Sequence, residues 1–288
     1  MNSFLLQHRL FNRYTLITAV SLFSVLILSW FFVSGLSEVL FMDYSAPDLG
    51  GRDHAEARGE MLPIFLQQIM SSETLINSSM TYVVLFLPLF YIFPTVTFSS
   101  ELKSCFVFGV HRFKSSSKSL LLAIAQHSLI AALVSTATFI LFYAIIGLFV
   151  TAHFDWMTMF GQFFHGDLYE NNPLLFFIFM FCTIYFSFGF LFAFISCGLM
   201  LFIERPYFVI FGIAVAYYVY FYVGSYLDYF LSLLLGHHIE LFWLGNTVTA
   251  FNTYQTTLQV FIPLIPIAIF AGILVFLGVQ KRIKNVCT

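Results

Sequence analysis

Few residues in this chain combine the types and spacing that chemistry requires. His237, His238 and Glu240 come nearest to a metal-ligand set. Adjacent histidines point in different directions on a helix, so the trio reads as a polar tip rather than a metal site. Tyr218, Tyr222, Tyr226 and Tyr229 recur at intervals of four, four and three. That spacing puts them on one helical face, with Ser225 beside it. A hydroxyl facing hydrocarbon without a partner is costly, so this face is expected to look toward protein or a water-accessible path. There Tyr218 and Tyr222 would offer ring faces to an apolar substrate and hydroxyls to its polar end. Helix–helix hydrogen bonding is the other reading of that pair, and an aromatic belt at the headgroups the other reading of Tyr226 and Tyr229. Gly189, Ala193 and Cys197 form a stripe of small residues at spacing four that lets another helix approach closely, within the chain or across a dimer seam.

The absent motifs narrow the chemistry further. There is no G-x-x-x-x-G-K-[ST], no H-E-x-x-H and no G-x-S-x-G. The chain therefore cannot cradle ATP phosphates by itself and lacks the zinc-protease and serine-hydrolase signatures. Cys105, Cys182, Cys197 and Cys287 do not pair at metal-ligand spacing, and none falls in a segment expected outside, which argues against a disulfide framework. No catalytic residue, metal site or cofactor of its own is expected.

The elements that would carry these residues are membrane helices. Of 288 residues 60% are hydrophobic and 9% charged, with a mean hydropathy of +0.91, whereas a soluble domain has about a quarter of its residues charged. Six stretches are long enough to cross about 30 Å of hydrocarbon: 15–37, 80–100, 119–152, 173–203, 206–229 and 259–279. Each must be helical, because an open sheet edge cannot exist in lipid. Arg9 and Arg13 precede a first stretch too long for a cleaved signal.

Charge orients the bundle. Ten of the twelve Lys and Arg (Arg9, Arg13, Lys103, Arg112, Lys114, Lys118, Arg205, Lys281, Arg282 and Lys284) flank alternate ends of the stretches. The positive-inside rule makes that side cytoplasmic, with both termini inside. Arg52 and Arg58 lie in an acidic first outer loop of about 40 residues, and the outer loops 153–172 and 230–258 hold no Lys or Arg. The acidic loop reads as solvated, or as an attractor for a cationic substrate. No nucleic-acid partner is implied.

Finer features follow. Residues 1–14 suit a helix at the inner interface or an ordinary basic flank. The long third stretch must tilt or project, letting Gln126 and His127 reach the headgroups. Two apolar clusters, 231–235 and 239–244, suggest short helices dipping into the outer leaflet. Asn77-Ser78-Ser79 matches a glycosylation sequon on an outer loop. Pro88, Pro94, Pro263 and Pro266 each free a carbonyl four residues back and bend their helices, statically or as hinges. The spans carry almost no acid–base pairs, which weakens an ion-coupled pump.

Between the second and third stretches the chain reads Phe106-Val107-Phe108-Gly109-Val110-His111-Arg112. This resembles the phenylalanine-glycine-valine-x-arginine pattern after the second span of exporter-type bacterial ATP-binding-cassette permeases. The order of parts is similar over nearly the whole chain, although the first outer loop is longer than in the simplest members. The resemblance implies a single six-span, all-α transmembrane domain over 1–288, with an interfacial N-terminal helix and a cytoplasmic coupling helix. It implies that Phe108, Gly109, Val110 and Arg112 contact a separate ATPase subunit that holds ATP and Mg. It also implies a second permease half, the same chain or a paralogue, in the bacterial cell membrane. A different class, an intramembrane enzyme or ATPase-independent carrier, remains the alternative.

Overall fold

The structure, a computed structural model, describes residues 12–44, 53–109, 116–149, 172–237, 240–249 and 259–287. Among these there is no β-strand, and six helices are long and apolar enough to cross a membrane. The chain is an all-helical membrane protein.

The first span, α1 (Arg13–Val33), starts on a capping box. Asn12 accepts from the Tyr14 and Thr15 backbone, and Thr15 bonds back to the Asn12 backbone, which satisfies otherwise orphaned N–H groups. Two helices follow in the first connection, α2 (Leu36–Phe41) and α3 (His54–Ile69). The second span is α4 (Ser72–Ile92), a 3-10 turn (Phe93–Thr95) and α5 (Val96–Gly109). The third is α6 (Ser116–Gly147). The fourth joins α7 (Pro173–Met180) and α8 (Phe186–Met200) through a π turn, Phe181–Tyr185. The fifth is α9 (Pro206–Leu235). A four-residue turn, α10 (Gly245–Val248), and a 3-10 turn (Gln259–Phe261) precede the last span, α11 (Leu264–Cys287).

One hydrophobic core runs through α4, α6 and α8, with α1, α9 and α11 around them. Its centre is aromatic: Phe139 stacks on Phe181 at 4.9 Å and Phe188 on Phe192 at 4.4 Å. Lipid supplies no hydrophobic drive between helices, so close packing and hydrogen bonds must hold them.

Several expected boundaries shift. The second span begins at Ser72 rather than near 80. Ser71 caps it by accepting from Thr74 N, and Ser78, Ser79 and Thr81 donate back to the carbonyls of Thr74, Ile76 and Asn77. A hydroxyl bonded to its own helix no longer needs water, so this polar run stays helical and continues the span. Asn77 is accordingly inside a helix, with Ser78 and Ser79 buried, and not on an outer loop as a glycosylation sequon requires. The fifth span continues through 231–235 to Gly236, whose φ of +67° stops it and whose N–H bonds Ser232 O. The separate dipping helix expected there is the end of α9. His127 does not reach the headgroups; it is 2% exposed within the bundle. The N-terminal segment 1–11 and the loop 153–171 lie outside the described residues.

Candidate functional site

Hydroxyls from three neighbouring helices bond the backbone of the second span, two of them at carbonyls left without a donor by proline. Pro88 has no N–H, which frees the carbonyl of Val84; Tyr217 of α9 donates to it at 3.0 Å. Pro94 likewise frees Phe90 O, and Ser135 of α6 donates to it at 3.2 Å. Near the start of the span, Ser29 of α1 inserts between Ser78 O and Tyr82 N, donating to the first at 2.6 Å and accepting from the second at 3.1 Å. The fourth span is tied to the same element. Tyr91 donates to Tyr185 O at the end of the π turn, at 3.0 Å, and Thr95 Oγ1 lies 2.8 Å from Ser196 Oγ. The second span is thus held by four helices and passes through a 3-10 turn at Phe93–Thr95.

Beyond that turn, three residues of α5 meet His127 of α6. Thr97 Oγ1 is 3.4 Å from His127 Nδ1, the Phe98 ring lies 5.4 Å from the imidazole, and Glu101 Oε1 is 3.1 Å from Nε2. Residues 97 and 101 are one turn apart, so a single face of α5 meets the histidine. The Nε2–Oε1 approach is close enough for an ion pair but is not aligned as a hydrogen bond. Cys197 of α8 lies near both Ser128 and Glu101. An acid–base pair thus lies where the second and third spans meet, with His127 buried and Glu101 half-buried. The sequence hides it because Glu101 falls just past an apolar stretch and His127 near the start of another.

A buried carboxylate lies on the fifth span. Asp228 on α9 is 4% exposed. Its Oδ1 accepts from Leu241 N and Phe242 N at 3.0 and 2.9 Å, and its Oδ2 from Phe242 N and Trp243 N at 3.0 and 2.8 Å. One turn earlier, Gly224 lets the segment lie against the helix, since a Cβ there would collide with Phe242 O. The described part of 239–244 is therefore a strap pinned by Asp228 rather than a dipping helix. Farther along, Tyr185 donates to Val248 O at 2.8 Å and Thr247 to Val260 O at 2.6 Å. Asn246 is buried in this strap with no partner for its side-chain amide.

The residues singled out in the sequence are not gathered into one site. Tyr218 and Tyr222 are 37% and 63% exposed, Ser225, Tyr226 and Tyr229 are exposed too, and the stripe looks away from this chain's core. Tyr218 nonetheless donates to Leu85 O, next to the Pro88 break. The buried face of α9 carries Tyr217, Gly224 and Asp228 instead. Gly189, Ala193 and Cys197 are buried inside the chain, and a Cβ on Gly189 would run into the Tyr91 ring. Phe108 and Gly109 end α5, while Val110 and Arg112 lie outside the described residues. His237 is exposed just past α9, Glu240 is half-buried, and His238 lies outside the described residues. Among the described residues no three His, Cys, Asp or Glu gather as a metal site. Comparison with protein-family models, curated proteins and solved structures finds no match for this chain.

Proposed function

We propose that the chain is the membrane-spanning subunit of an exporter driven by a separate ATPase, forming half of a path for a hydrophobic or amphipathic substrate such as lipid, peptide or drug. The observation that carries this reading is the reach of the second span. Its apolar part ends at Lys103, yet α5 continues to Gly109, about 9 Å farther at 1.5 Å per residue. Residues 110–115 then return the chain to α6 at Ser116. Lys103, Arg112, Lys114 and Lys118 lie in or beside this connection, and the positive-inside rule assigns it to the cytoplasm. A projecting helix continuous with a span converts movement of a docked ATPase into tilt, and the break at Phe93–Thr95 supplies a place to bend. In this reading Phe108, Gly109, Val110 and Arg112 contact the ATPase, and ATP and Mg belong to that partner. The outward face of Tyr218, Tyr222 and Ser225 then meets the second permease half, in a bacterial cell membrane with both termini inside.

The second reading, an ATPase-independent carrier, is favoured by Glu101 meeting the buried His127, because protonatable groups inside a bundle mark ion pathways. Affinity purification of the intact chain from its own cells separates the two. The first reading expects an ATP-hydrolysing subunit to copurify, and Gly109→Leu or Arg112→Glu to lose it while the purified chain keeps its melting temperature. Transport by the purified chain alone in vesicles, with no ATPase present, overturns the first reading.

A further inference from the structure

The first two spans fix the depth of the connection between them. α1 has 21 residues, about 32 Å at 1.5 Å per residue, which matches about 30 Å of hydrocarbon. With Arg13 at one boundary, Val33 stands at the other. Ser29 bonds both Ser78 O and Tyr82 N, so those residues of α4 share its depth. With both helices upright, Ser29 lies about 6 Å below Val33 and Ser72 about 9 Å above Ser78. Ser72 therefore lies about 3 Å beyond the level of Val33. The connection 34–71 leaves the lipid and returns to it at the headgroups, so α2 starts there and α3 ends there.

The surfaces of these two helices are not those of a solvated loop. Gly35, with a φ of +80°, turns α2 off the end of α1. α2 then ends in Leu40 and Phe41, both exposed, Phe41 to 85%. Phe32 and Val33, the exposed end of α1, lie directly before that turn. Tyr44 ties α2 to α3: it is buried, donates to Val39 O at 2.9 Å and sets its ring 5.8 Å from that of His54. On α3, Glu56, Glu60 and Gln67 share one exposed face, with Gln68 beside them and Ile64 at its edge. Met61, Leu62, Phe65, Leu66 and Ile69 share the opposite face. The chain buries Ile69 but leaves the other four only half-buried. Gly59 and Pro63 are exposed, so the carbonyl that this proline frees is open to water.

We propose that α2 and α3 lie in the headgroup layer of the leaflet opposite Arg13, bound to lipid. The apolar face of α3 turns toward the acyl chains and its acidic face toward water. Lipid completes the cover that the chain leaves open on Met61, Leu62, Phe65 and Leu66, and it surrounds Phe41. Lipid is the occupant because the apolar surface continues without a gap from Phe32 and Val33, at the depth that Ser29 and Ser78 set. Residues 34–72 hold six acids, two arginines and no lysine, so the hold is apolar and needs no anionic lipid.

The test does not depend on the ATPase reading, because its readout is depth. Spin labels are placed on Phe41→Cys, Leu66→Cys and Glu60→Cys in the full chain, with the native cysteines replaced, in phosphatidylcholine nanodiscs. Accessibility to oxygen, which concentrates in lipid, is compared with accessibility to a water-borne nickel chelate. Val20→Cys, on the exposed face of α1, is the lipid reference. Labels at 41 and 66 are expected to favour oxygen as the one at 20 does, at a depth of about 5–10 Å into the headgroup–acyl boundary. The label at 60 is expected to favour nickel. Phe41 touches little of the chain, so its replacement leaves the fold intact and its result stands alone. Nickel dominant at 41 and 66, as on a solvated loop, overturns the proposal. Shielding of 41 from both reagents overturns it too, since protein rather than lipid then covers the face.

Discussion

Asp228→Asn isolates the pinning of the strap, because it keeps the shape and removes an acceptor and the charge. The carboxylate takes three backbone N–H groups, from Leu241, Phe242 and Trp243, at 2.8–3.0 Å. With asparagine, one oxygen can still serve Leu241 and Phe242, but the Trp243 N–H meets an amide NH2. A hydrogen bond to a charged acceptor contributes about 1.5–3 kcal/mol and a neutral one about 0.5–1.5. Losing the first kind once, at least about 1.5 kcal/mol, and weakening it twice, by about 1 kcal/mol each time, gives a cost of about 3.5 kcal/mol at the low end. A tenfold change in an equilibrium is about 1.4 kcal/mol, so opening of the strap should become at least about 300-fold more frequent. Amide hydrogen exchange across 240–249 reads this directly. Faster exchange confined to that segment and the end of α9 is the expected result. Less than about a threefold change would refute the bookkeeping, since the N–H groups would then have other partners in reach. Equal acceleration across α4, α6 and α8 would refute the idea of a local pin.

Three further outcomes follow from the packing and the charge pattern. Gly189→Ala should lower the melting temperature by an overpacking cost of about 1–3 kcal/mol, and Tyr91→Leu should restore part of it by making room. Tyr217→Phe bares the carbonyl freed by Pro88 and should cost about 0.6–1.7 kcal/mol in thermal unfolding, whereas Tyr222→Phe, on the exposed face, should cost nothing measurable. Cysteines at Asp53 and Asn171 should react with an impermeant thiol reagent in intact cells, and one at Ser116 should not; labelling at Ser116 would reverse the orientation.

The spans are legible in the sequence because, in a chain with so little charge, a run of about 20 apolar residues can be stably placed only across lipid. Their ends are less so, since hydropathy counts a hydroxyl as polar whether or not it is already bonded. Ser78, Ser79 and Thr81 satisfy their own helix, and the span simply continues through them. Pro88 and Pro94 announce freed carbonyls, but their partners, Tyr217 and Ser135, stand 133 and 45 positions from the atoms they cover. Nothing local marks either one. The four-residue tyrosine period is a true helical face, yet period alone does not say which face is inward. Tyr217 lies one residue off the stripe, and it is the one buried. Asp228 is visible as a lone acid near a helix end. Its role depends on a strap of backbone N–H groups that have no sequence signature.

Where neighbouring helices attach to the second span follows from where its backbone is incomplete. Helices in lipid gain no hydrophobic free energy by touching each other rather than lipid tails. An unpaired carbonyl in hydrocarbon, by contrast, costs several kcal/mol. Proline therefore does two things here: it bends the rod and creates an acceptor that a neighbour must meet. The fifth span shows the consequence. With the first, it is among the spans least buried within the chain. It is held by Tyr217 and Tyr218 on Val84 and Leu85, by Tyr220 on Pro263 O, and by Asp228 on the strap. Each hydroxyl tie in a membrane protein is worth on the order of 0.6 to 1.7 kcal/mol. Releasing α9 from α4 would thus cost a few kcal/mol, the separation at which a minor state is scarce but reachable. A helix held mainly by wide packing would lose its contacts gradually. One hung from a few polar ties is either attached or not, which suits a part that has to move between two positions.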